Sequence, residues 1–203
     1  MKKLLKWTAT LLLVVTAFYL GGVYTEHQYL QNNIIRLHVV ADSDSQEDQA
    51  IKLSVRDAIT AKLQGVMEEL PDLESAKAYL QEQLPELERV ANEVLESAKS
   101  TCRAVVTLTK EAFPARQYDT FSLPAGVYQS LRVTIGSGEG RNWWCVVFPQ
   151  LCVSATSDEF EDTAVGAGFS DGLTGSLTGK QEYRVRFFFM DCMGWINNLF
   201  HRG

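Results

Sequence analysis

The 203-residue chain is poor in the residues that most chemistries need. It has three histidines, at positions 27, 38 and 201, and four cysteines, none of them in a Cys-x-x-Cys pair. Structural zinc sites need closely spaced Cys and His ligands, so this spacing argues against a metal centre. Basic residues are not in excess. Nineteen Lys and Arg stand against 25 Asp and Glu, for a net charge of −6, and no basic patch stands out. Nucleic-acid binding relies on clustered phosphate-neutralising cations and is therefore not expected. No internal repeat is visible. The Gly-rich run at 136–140, GSGEG, has no following Lys-Ser/Thr and joins two apparent strands, so it is not a phosphate-binding loop. No cofactor is implied.

One absence is positive evidence. Residues 7–25 carry no charge, and Lys2, Lys3 and Lys6 precede them. A basic start before an apolar run marks export or membrane anchoring. No clear small-residue cleavage site follows, so residues 1–25 read as an anchor or a slowly cleaved signal. Residues 26–33 read as a polar linker, and 34–203 as one exported domain. Outside the cytosol, Cys102, Cys145, Cys152 and Cys192 can form disulfides. The flanking strand end and Pro149 make Cys145–Cys152 the expected pair.

The folded part alternates between the two basic periodicities. Residues 34–40, IIRLHVV, show period-2 alternation and predict a strand with one polar face carrying Arg36 and His38. ADSDS follows. Ser45 and Asp48 form a capping box, and the helix after it carries Ile51, Val55, Ile59 and Leu63 on one stripe. Asp42 and Asp44 in that turn read as helix-terminus acids. A heptad-like seam runs through Leu73, Ala76, Leu80, Leu84, Leu87, Ala91, Val94 and Ala98. It is expected to pack on the chain's own sheet, the alternative being a partner-binding or dimerising coiled coil, with a kink or two helices meeting at Pro85.

Residues 103–110 predict a strand. Residues 127–135 and 142–148, joined by GSGEG, predict a hairpin. Residues 154–181 read as an exposed loop, 182–190 as a last strand, and the remainder as a short amphipathic helix. The order implies an α+β fold: a mixed sheet with a central hairpin, covered by two or three helices, after an N-terminal apolar helix.

Catalytic constellations are thin. Cys145 and His38 would make a Cys-dependent hydrolase only if their strands bring them together. Binding residues are easier to nominate. The segment 113–144 gathers Phe113, Arg116, Tyr118, Tyr128, Arg132, Arg141, Trp143 and Trp144, the types enriched where proteins meet partners.

Four stretches carry a family resemblance: 34–59 (IIRLHVVADSDSQEDQAIKLSVRDAI), 113–118 (FPARQY), 123–152 (LPAGVYQSLRVTIGSGEGRNWWCVVFPQLC) and 182–187 (EYRVRF). On these the chain resembles stage II sporulation protein R of endospore-forming bacteria. The resemblance implies a non-catalytic signal, made in the forespore and exported into the space between the two cells. There it would trigger a membrane-embedded aspartic protease of the mother cell, which removes the pro-sequence of sigma factor E. It implies no catalytic residues. The competing expectation is an exported Cys-dependent hydrolase acting on the cell envelope.

Overall fold

Strand β1 (Ile35–Val40) lies at the centre of the molecule's main sheet. In the computed structural model, which describes residues 2–149, 157–179 and 184–200, all six of its residues are buried. It pairs in parallel with β5 (Gly126–Ile135) and antiparallel with β6 (Asn142–Phe148). With β2 (Ala104–Phe113) outside β5, the order is β2-β5-β1-β6. The fold is thus α+β with a mixed sheet of four strands among the described residues.

The order corrects the predicted hairpin. β5 and β6 both form and run antiparallel, but β1 lies between them. GSGEG is therefore a bridge across the end of β1, not a tight turn between partners.

The chain divides into two compact units. The first comprises residues 32–111 and 128–168. Here α2 (Gln46–Leu63) and α4 (Leu73–Ser97) cover one sheet face, with the short α3 (Val66–Glu69) between them. Ile35, Leu37, Val39, Leu131, Val133, Cys145 and Val147 from the strands form a buried core with Val55, Ile59, Leu80, Leu87 and Ala91 from the helices. The Ser45 side chain accepts from the Asp48 backbone N–H at 3.0 Å, as the capping motif predicts. The reciprocal bond differs: the Ser45 N–H goes to Ser43 Oγ.

The seam does pack on the sheet, but its register drifts. Leu95 is buried where the heptad pattern places Val94, and Ala98 is exposed. An α-helix of 3.6 residues per turn walks off a 3.5-residue repeat over four turns. α4 also continues through Pro85 without breaking into two helices. Pro85 and Gln81 are both exposed, so the carbonyl that loses its partner lies on the solvent side.

Helix α5 (Ser157–Gly166) also belongs to this first unit, and Phe160 and Ala164 on it are fully buried. α5 and α6 (Asp171–Leu177) stand within the stretch 154–181 where a loop is expected; residues 154–156, 180 and 181 lie outside the described set.

The second unit comprises residues 1–31, 112–127 and 169–203. Helix α1 (Lys2–Asn33) runs through residues 26–33, where the sequence pattern predicts a linker. The reason is packing: Val23, His27, Leu30 and Gln31 are buried, so this stretch belongs to the folded unit. The N-terminal part of α1 is exposed along its length and is long and apolar enough to cross a membrane. Residues 184–190, expected in the last strand, open helix α7 (Arg184–Leu199); residues 182 and 183 lie outside the described set. Two short strands, β3 (Arg116–Gln117) and β4 (Ser122–Leu123), pair antiparallel in the same unit.

Candidate functional site

The sheet face away from α2 and α4 holds polar side chains from all four strands. β1 alternation puts Arg36 and His38 there, and register places Arg132 of β5 and Trp144 of β6 beside His38. Glu111 of β2 completes the row. Its Oε2 accepts from His38 Nδ1 at 3.1 Å and its Oε1 from Arg132 Nη1 at 2.6 Å. His38 Nε2 lies 2.8 Å from Asn142 Oδ1, and Arg132 Nε donates to Thr134 Oγ1 at 3.1 Å. The Trp144 ring sits 5.8 Å from the imidazole.

Electrostatics explain why this row is stable half-buried. Burial pushes the Glu111 carboxyl up, but hydrogen bonds from His38, Ser130 and Arg132 outweigh it and hold the group at about 2. The carboxylate thus stays ionised between two potential cations. The polar face of β1 is not a wet one, as the alternation suggests. Arg36 is fully buried, with its guanidinium 5.2 Å from the centre of the Tyr128 ring.

The second feature is the bridge over β1. Ser137 N–H donates to Asp42 Oδ1 at 2.5 Å, and Arg141 N–H donates to Asp44 Oδ1 at 2.7 Å. Glu139 and Gly140 N–H groups reach the carbonyls of Asp42 and Ala41. Asp42 and Asp44 therefore hold the crossing loop, a role the helix-terminus reading misses. The Ser137 backbone bond holds the Asp42 carboxyl below its ordinary value. Lys52 ties the loop again by donating to the Arg141 carbonyl at 2.9 Å. Glycine is required at two points. A Cβ on Gly140 would overlap the Ser43 backbone, and Gly136, at φ 57°, would overlap Asp42.

The eight nominated binding residues do not form one group within a single unit. Phe113, Arg116 and Tyr118 belong to the second unit; Tyr128, Arg132, Arg141, Trp143 and Trp144 belong to the first. Phe113 and Tyr128 are buried packing residues. Tyr118 stacks on Phe121 at 4.6 Å beside exposed Arg116. Arg141 is 71% exposed at its side chain, and Trp143 lies under the Arg56 guanidinium at 4.9 Å. The two tryptophans face opposite sides of β6, as adjacent strand residues must.

The same alternation separates Cys145 from His38. Their strands are neighbours, yet Cys145 is opposite Leu37 in the helix-covered core while His38 is opposite Trp144 on the other face. Cys145 is in a disulfide, whereas Cys102 and Cys192 are free. Its expected partner, Cys152, lies outside the described residues. Among the described residues no cluster of three His, Cys, Asp or Glu could hold a metal.

In the second unit, buried His27, Gln31 and Asn198 and half-buried Asp191 clamp the segment 112–127. His27 Nε2 donates to the Ala125 carbonyl at 2.8 Å, Gln31 Oε1 accepts from Val127 N–H at 3.1 Å, and Asp191 Oδ1 accepts from Ala125 N–H at 2.9 Å. Asn198 Nδ2 reaches the Phe113 carbonyl at 2.7 Å. The sequence pattern missed Glu111, Asn142, His27 and Gln31. Glu111 lies just past the predicted strand end at 110, and His27 and Gln31 show their i, i+4 spacing only once 26–33 is read as helix.

A family model described as stage II sporulation protein R matches residues 31–158. The stage II sporulation protein R of Bacillus subtilis (strain 168) is 30% identical over 189 residues, covering 84% of this chain and 83% of the relative. No solved structure matches.

Proposed function

The chain belongs to the stage II sporulation protein R family, and from that premise we propose that it is an exported signal that activates a membrane-embedded aspartic protease. The signal is made in the forespore and acts from the space between forespore and mother cell. The protease it activates then removes the pro-sequence of sigma factor E. One observation carries the reading beyond the family. The charge-free part of α1 is exposed, while its last turns are bonded into the folded unit through His27 and Gln31. A membrane-seeking segment welded to a folded unit fits a protein that works at the outer surface of a membrane. The exposed cations Arg116 and Arg141 are the proposed partner contacts, since exposed Arg is a frequent hot-spot residue.

Three-way co-expression in a non-sporulating bacterium tests this. The chain, the protease and the sigma factor precursor are produced together, and pro-sequence removal is followed by immunoblot. Conversion is expected only when all three are present. An unconverted precursor with all three proteins folded and in place would refute the proposal.

A further inference from the structure

Helix α7 divides into two faces with opposite surroundings. Met190, Gly194 and Asn198 are buried on one side. Gly194 packs so closely on the Ala125 backbone that a Cβ would overlap it, and Asn198 bonds the Phe113 carbonyl. On the other side stand Val185, Phe188, Phe189, Trp195, Ile196 and Leu199. At 100° per residue these six fall within an arc of about 120° that also holds half-buried Cys192, and no residue in the arc is charged. Val185, Phe188, Trp195, Ile196 and Leu199 are exposed, Phe188 at 61% and Trp195 at 58%, so among the described residues most of the arc is uncovered. Contiguous apolar surface of this kind marks a contact site.

The position of the arc says what it meets. Phe189 is part of it, and its ring lies 6.3 Å from that of Tyr19, inside the charge-free run of α1. Arg186, about 60° round the helix from Phe189, pairs with Glu26, the first charged residue after that run. Eight residues along α7 from Arg186, Gly194 meets Ala125, whose carbonyl takes the His27 bond. About 12 Å of helix thus stays at the level of residues 26 and 27, as a helix lying across α1 would. The edge of the arc at Phe189 thus meets the lipid-seeking half of α1, and Arg186 pairs with the first charged residue beyond that half.

We infer that α7 is an interfacial helix whose Val185–Leu199 face is sunk in the outer leaflet of the bilayer that α1 enters. The inference rests on the reading of α1 as membrane-embedded. Trp195 suits the site, because tryptophan favours the zone between acyl chains and water. The two helices together fix the orientation of the second unit on the membrane, which a single helix with a flexible exit could not.

The test uses the full chain in vesicles of phosphatidylethanolamine and phosphatidylglycerol in equal amounts. In a Cys102→Ser, Cys192→Ser background, a nitroxide is placed at Ile196→Cys, and in separate chains at Leu12→Cys and Arg116→Cys. Collision rates with oxygen, which partitions into lipid, and with a water-soluble nickel chelate are compared, and circular dichroism checks folding. The ratio of oxygen to nickel collisions at position 196 is expected to be several-fold above that at 116. A ratio at 196 equal to that at 116, with position 12 in lipid, overturns the interfacial helix and leaves the anchor standing. Nickel access at both 12 and 196 overturns both readings. Strong dipolar broadening between labels at 196 shows a second copy on this face and also overturns the inference.

Discussion

At residue scale, Glu111 shares one carboxylate between His38 and Arg132 while only 16% of its side chain is exposed. Its folded value of about 2 lies below the ordinary 4.5, so its stabilisation is present above pH 4.5 and is lost as pH falls toward 2. That difference corresponds to roughly 3 kcal/mol at neutral pH. Glu111→Gln is expected to destabilise by about that order, and the gap from wild type should close as denaturation midpoints are measured from pH 5 downward. A gap that stays constant with pH would show that ionisation of Glu111 is not the source. Arg116 and Arg141 are the opposite case. Exposed charges contribute little to stability, so Arg116→Ala and Arg141→Ala should leave the thermal midpoint almost unchanged while lowering pro-sequence removal. Normal signalling by both would remove them from the proposed contact surface.

At the scale of elements, the crossing loop and the helical seam give separable tests. Gly140→Ala must push its methyl into the Ser43 backbone, and a cost of about 1–3 kcal/mol is expected from urea denaturation. Gly166→Ala at the end of α5 meets nothing within 4 Å and should be neutral or stabilising by under about 1 kcal/mol. Leu80→Ala in the fully buried seam should cost about 3 kcal/mol, because α4 packs on the sheet and not on a partner. These elements also show where sequence patterns speak. Ser45 announced its cap, and Ile51, Val55, Ile59 and Leu63 announced their stripe, because both are local. The hairpin expected between 127–135 and 142–148 does not form: β1, some ninety residues earlier, fits between the two strands, and nothing local says so. Both strands are apolar enough to be buried with either neighbour. EYRVRFFFM alternates over a few residues and looks like a strand. Over the sixteen residues of α7, Val185, Phe188, Phe189, Trp195, Ile196 and Leu199 keep a helical period instead. The polar row escaped notice for the same reason as the sheet order: Glu111, Arg132, His38 and Trp144 meet only after four strands assemble.

For the whole molecule, α1 joins export to folding. Cutting the chain after residue 22 removes exposed apolar surface yet keeps Val23, His27, Leu30 and Gln31, so a soluble folded protein is expected. Cutting after residue 33 strips the bonds to Ala125 and Val127, and the segment 112–127 should then lose protection in hydrogen exchange. Equal protection in both truncations would show that α1 contributes nothing to the second unit. A Cys145–Cys152 bridge closes a short loop and is worth only about 2 kcal/mol, so reduction should lower stability without abolishing the fold. Thiol labelling followed by intact mass is the check, and free labelling of both cysteines without reductant would reject the pair. The central claim is that the signal acts only from outside the membrane that α1 enters. The most direct measurement is pro-sequence removal in sporulating cells that make either the full chain or the chain lacking residues 2–22 in the forespore. Processing is predicted with the full chain and not with the truncated one, although both fold. Processing at equal rates by the truncated chain, still inside the forespore, would contradict the account.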